Sequence, residues 1–158
     1  MKKKVTIRQA IDFCKAFDNL KDSGIVFKGL SLIDLADNNV VLRPLVTAWE
    51  KANEVPSKYR EFAEAIEDAK LAASTPTIGN NFQIDSTKFA PAVAELKKKY
   101  AAPIFSFTKL QELQVEILDK EREVDIIEIP RDQISIDEKN NNAAQVLFGL
   151  IIVLSKRI

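Results

Sequence analysis

Residues 143–158 read AAQVLFGLIIVLSKRI, and from Ala143 to Leu154 the only polar side chain is Gln145. On a helix, Leu147, Leu150, Ile151 and Leu154 share one face, while Val146, Phe148, Ile152 and Val153 fill much of the rest. A helix that is apolar all round is buried on most sides or lies in lipid. Crossing a bilayer takes about 20 apolar residues, whereas the twelve from Ala143 to Leu154 cover only about 18 Å at 1.5 Å per residue. No membrane span is therefore expected. Burying a large aliphatic side chain is worth about 1.5–3 kcal/mol. Leaving the whole set exposed would forgo more than about 10 kcal/mol, comparable with the stability of a domain. The run must be covered. The expectation is burial partly within the subunit and partly against another copy or another protein. Leu147, Leu150, Ile151 and Leu154 are the candidate interface residues, with Trp49 packing against them. A strand reading of VLFGLIIVL stays open, because β-branched residues are frequent in it.

Outward from the tail, the 158-residue chain has the length of a single domain, 1–158. Its 46% hydrophobic and 29% charged residues are usual for a globular protein. Lys and Arg balance Asp and Glu to a net charge of zero. That argues against a general nucleic-acid binder, which needs a surplus of cations. The balance is uneven along the chain. Residues 1–30 are about +4 and residues 111–139 about −6. The two segments attract each other either within the fold or, head to tail, between subunits.

Histidine is absent and Cys14 is the sole cysteine, at the middle of an apolar stripe. Zinc fingers and Ser-His-Asp or Cys-His catalysis are thereby excluded. Four glycines leave no room for a phosphate-binding loop. No cofactor, metal ligand or catalytic residue is assigned. The start, MKKKVTIRQAIDFCKAF, lacks the apolar core of a signal peptide. A reducing cytoplasm at synthesis fits best.

Hydrophobic spacing predicts helices near 6–22, 39–53, 56–73, 87–99, 107–121 and 142–155. A small two-stranded β element is expected within 123–136, so the class is α+β and mostly helical, with five to six helices. Thr6 is the expected N-cap of the first helix and Gly24 its C-terminal stop. Residues 26–37 read equally as an extended connection or a helical turn. Asn38 or Asn39 caps the next helix, with Pro44 near its first turn or at a kink. Pro56 suits the start of the third helix. Residues 74–103 are an irregular insertion with a Gly79-Asn80-Asn81 turn, an edge strand at Phe82 and Ile84, a short helix, and Pro103 as its stop. Ser106 or Thr108 caps the following helix, and asparagines 140 to 142 mark the start of the last.

One constellation suggests chemistry. Asp125 and Glu128 precede Asp137-Glu138-Lys139, the composition of nuclease cores that place acid, acid and lysine on adjacent strands. There the carboxylates hold Mg²⁺ and the lysine orients a water. The other reading of the same residues is solvated charge flanking strands.

The order of FSFTKLQELQVEILDKE (105–121), REVDIIEIPRDQI (122–134) and an apolar C-terminal helix follows a helix built like LRPLVTAWEKANEVPSKYREFAEA (42–65). This layout resembles a group of short, uncharacterised proteins encoded by tailed bacteriophages. The likeness covers most of the chain in layout and Glu123 to Pro130 in residues. The chain departs from it across 74–103 and in its last helix. The resemblance carries no site residues; it implies a phage setting, as a virion component or an accessory protein that engages host machinery. The expected function is a non-enzymatic structural or interaction protein that self-associates or binds another phage or host protein, cytoplasmic at synthesis and destined for a virion. The alternatives are a small Mg²⁺-dependent nuclease using Asp125, Asp137 and Lys139, and a phage inhibitor of a host protein.

Overall fold

The computed structural model describes residues 1–137, 139 and 142–156. Glu138 of the acidic constellation and Asn140 and Asn141 of the expected helix start lie outside the described residues. The protein is mostly helical α+β, as its spacing predicts, with six helices and small two-stranded sheets among the described residues. Its contacts divide into two compact units, Met1–Ala52 with Gln114–Ile158, and Asn53–Leu113.

The first unit opens with strand β1 (Lys2–Thr6) and helix α1 (Ile7–Asp18). Thr6 caps α1 as expected: its hydroxyl accepts from the Gln9 N–H at 3.1 Å while the Gln9 side chain accepts from the Thr6 N–H at 3.0 Å. Ala10, Phe13, Cys14 and Ala16 turn inward. The helix ends at Asp18, short of the expected boundary, and Gly24 instead leads from a 3₁₀ turn into β2 (Ile25–Phe27), with φ of 68°. Residues 26–37, left open by the sequence, contain both forms: the end of β2 and the first turns of α2 (Ser31–Ala52). Pro44 therefore stands well inside α2, where it removes the N–H that the Val40 carbonyl would otherwise accept. Asn38 is buried rather than capping, for a reason given below.

After helix α5 (Ala101–Leu118), whose residues from Gln114 onward belong to this unit, the chain forms β5 (Glu121–Asp125) and β6 (Ile134–Ile136). These do not pair with each other. β5 runs antiparallel to β1, with Lys2 opposite Asp125 and Thr6 opposite Glu121, and β6 runs antiparallel to β2, with Ile25 opposite Ile136. The basic and acidic segments thus meet within the fold. Lys2–Glu123 at 3.1 Å, Lys4–Glu121 at 3.5 Å and Arg8–Asp119 at 2.9 Å join them. All are exposed pairs, which contribute little to stability.

Helix α6 (Ala143–Leu150) stops earlier than the expected 142–155. β-branched Ile151, Ile152 and Val153 follow in a turn, and Leu154 then lies parallel to Ile129, whose N–H donates to the Val153 carbonyl at 2.8 Å. The Ser155 N–H donates to the Ile129 carbonyl at 3.0 Å. The helix reading holds as far as Leu150, and of the strand reading only the isolated bridge at Leu154 is found. Val146, Leu150, Ile152, Val153 and Leu154 join Val5, Phe13, Leu35, Leu42, Ile126 and Ile129 in one core.

Gly149 is where α6 crosses α1. A Cβ built there would lie 2.6 Å from the Ala16 Cβ and 2.6 Å from the Asp12 carbonyl oxygen. Backbone cannot yield as a flexible side-chain end can. Gly149→Ala is therefore expected to destabilise the first unit by about 1–3 kcal/mol despite the better helix propensity of alanine. A chemical denaturation midpoint equal to or above the parent's would contradict this packing.

The second unit holds α3 (Ser57–Ala72), the hairpin β3 (Ser74–Pro76) with β4 (Phe82–Ile84), α4 (Ser86–Lys99), and residues 101–113 of α5 (Ala101–Leu118). The stretch read as an irregular insertion is thus largely regular. Gly79 and Asn80 take positive φ of 86° and 59° to turn the hairpin. Pro103 does not stop a helix; it occupies the first turn of α5, where its missing N–H breaks no helical bond. Thr108, expected as a cap, lies inside α5 and its hydroxyl donates back to the Ile104 carbonyl at 2.9 Å. Tyr59 packs on Phe107 with ring centroids 4.1 Å apart, and Phe62 on Tyr100 at 5.7 Å.

Candidate interaction surfaces

The five residues expected at an interface do not form one surface. Leu150 and Leu154 are buried in the core of their own unit, and Leu147 is half-buried against that core. Ile151 is 51% exposed, beside Phe148. Trp49 is half-buried on α2 and does not belong to that core cluster; its indole N–H is sealed from water without a hydrogen-bond partner among the described residues. The tail is apolar on all sides because most of its sides are packed.

Helix α2 carries the larger exposed surface. Its inner face is Ser31, Leu35, Asn38, Leu42 and Val46, all buried. At 100° per residue, the opposite face brings Ile33, Asp37, Val40, Val41, Pro44, Ala48 and Lys51 together. All are exposed, Ile33 at 58% and Val40 at 70%. The helix is apolar on two opposite sides, and among the described residues none covers the outer one. The sequence hid this because residues 26–37 could not be assigned, which left Ile33 off any helix. The spacing of positions 33, 40, 44 and 48 was the available signal.

Asn38 fixes the back of α2 to the segment after β5. Its amide N–H donates to the Ile127 carbonyl at 2.8 Å, and its amide oxygen accepts from the Ile127 N–H at 2.7 Å. It takes the place of a strand partner exactly one residue long after β5 has left β1. Gln114 similarly donates to the Ala52 carbonyl at 2.6 Å, at the last turn of α2.

Two concavities accompany these surfaces. A cleft of about 460 Å³ runs beside the α1–α6 crossing, lined by Asp12, Lys15, Asn19, Asp22 and Gln145 among others. In the second unit a groove of about 570 Å³ is lined by Tyr59, Phe62, Lys97, Ile104 and Phe105.

Asp125 and Asp137 are not on adjacent strands. Asp125 ends β5, opposite Lys2, while Asp137 follows β6 and donates its backbone N–H to the Gly24 carbonyl at 3.0 Å. The Lys139 N–H donates to the Asp137 carboxylate at 3.1 Å, an arrangement local to one turn. Among the described residues no group of three or more Cys, Asp or Glu is placed to hold a metal ion. Burial pushes the Cys14 thiol up from its usual value, which keeps it protonated and unreactive. The side-chain hydrogen bond from Arg8 holds the Asp119 carboxyl below its ordinary range.

Compared with protein-family models, curated proteins and solved structures, the chain matches none. No helix among the described residues is long and apolar enough to cross a membrane.

Proposed function

We propose that this chain is a non-enzymatic interaction protein that self-associates, and that it serves as a virion component or assembly factor in a phage setting. The observation that carries self-association is the uncovered apolar face of α2. Single exposed apolar side chains are ordinary on a protein surface, but a contiguous row of them marks a binding surface. The phage setting rests on the likeness in layout and on the Glu123 to Pro130 segment. That segment now has a structural reason for its pattern: Ile126 and Ile129 are buried, and the backbone of Ile127 between them pairs with Asn38. The non-enzymatic reading is preferred to the nuclease alternative because β5 and β6, which flank its residues, belong to different sheets.

Light scattering after size exclusion on the intact chain tests this reading. The expected result is an average mass that rises above the 17.7 kDa of one chain as concentration increases. A mass fixed at one chain throughout would overturn it.

A further inference from the structure

We infer that the occupant of the outer α2 face is α2 of a second copy, packed antiparallel about a two-fold axis passing beside Pro44. This inference rests on the self-association proposed above. It goes further by naming the surface, the orientation and the contacts.

The face is self-complementary about Pro44. An isologous antiparallel contact sets each residue against the one equally far on the other side of the axis. Asp37 and Lys51 lie seven positions before and after Pro44, two helical turns each way, or about 10 Å along the axis. Asp37 of one copy therefore faces Lys51 of the other, at both ends of the contact. Between them Val40 faces Ala48, a larger side chain set against a smaller one, and Val41 faces Thr47, a β-branched side chain of the same shape. All of these residues are exposed within the chain. Neither Asp37 nor Lys51 has an ion-pair partner among the described residues. A parallel arrangement would set Asp37 against Asp37 and Lys51 against Lys51, so the charges select the antiparallel one. A single helix pair buries less than the roughly 1,600 Å² of a standard interface. The dimer is accordingly expected to dissociate in the micromolar range.

Sedimentation equilibrium of the full chain, up to about 500 µM, tests this with Asp37→Lys, Lys51→Asp, the double variant, and an equimolar mixture of the two single variants. These positions are exposed, and circular dichroism will verify that each variant folds. Each single variant turns two symmetric attractions into repulsions and is expected to weaken the dimer at least about tenfold. The double variant should return to within about threefold of the parent, and the mixture should form a heterodimer. If the parent associates but the single variants do so equally well, self-association stands and the α2 contact is overturned. Failure of the double variant and the mixture to recover would also overturn it. A parent monomeric throughout would remove the proposed function and this inference together.

Discussion

A chain ended after Asn140 will lose the fold of its first unit. The truncation removes Val146, Leu150, Ile152, Val153 and Leu154, all buried in the core shared with Phe13, Leu35 and Leu42. At about 1.5–3 kcal/mol for each large side chain, the loss is about 8–15 kcal/mol, as large as the entire stability of an ordinary domain. Backbone partners go with them. Ile129 loses both its bonds to the tail, Lys3 loses the Ile152 carbonyl it reaches at 2.5 Å, and Arg131 loses the Ser155 carbonyl at 2.7 Å. Hydrogen exchange along α1 is the readout. Protection of α1 amides in the intact chain and none in the truncated one is the expected result. A truncated chain with α1 still protected would show that the tail is an appendage, as an interface-only reading requires.

Replacing Asn38 by leucine is expected to destabilise the first unit by about 2–5 kcal/mol, because it strips both the N–H and the carbonyl of Ile127 of their partners at once. Leucine has as many side-chain heavy atoms as asparagine and is more apolar, though its methyls make it bulkier. On burial alone the change should therefore be harmless or favourable, so the sign of the effect decides between packing and hydrogen bonding. Asn38 is 1% exposed, which keeps water from replacing the lost amide on that side. A urea midpoint equal to the parent's would mean that the segment after β5 holds its position without this pair.

Local patterns carried the helices, and distance along the chain hid the sheets. Thr6 marked the start of α1 because an N-cap is a local signal, although its reciprocal partner Gln9 was not read from the sequence. Lys2-Lys3-Lys4 gave no strand signal, since lysine is a poor strand former when read alone. β1 forms because β5 pairs with it antiparallel from more than a hundred residues away, and because Val5 beside the lysines is buried. The opposite charges of the two segments were visible in the sequence and fit attraction within the fold. The register that joins them was not. Asn38 looked like a cap because asparagine caps helices, yet its partner is at Ile127 and no local rule could reach it. The tail was legible as buried by its all-round apolarity, but the end of α6 at Leu150 depends on the backbone of Ile129. The candidate surface was missed for a related reason. An apolar stripe on each side of α2 weakens the one-sided pattern by which a helix is recognised.

The central claim is that the tail is spent on the core and that the outer face of α2 is left for a second copy. Light scattering on two variants at matched concentration tests it most directly. One replaces the exposed tail residues, Phe148→Ser with Ile151→Ser; the other places charge on the outer α2 face, Val40→Lys. The account predicts that the tail variant keeps the parent's association while Val40→Lys runs at the mass of one chain. Association lost in the tail variant and kept in Val40→Lys would contradict it and return the interface to the end of the chain.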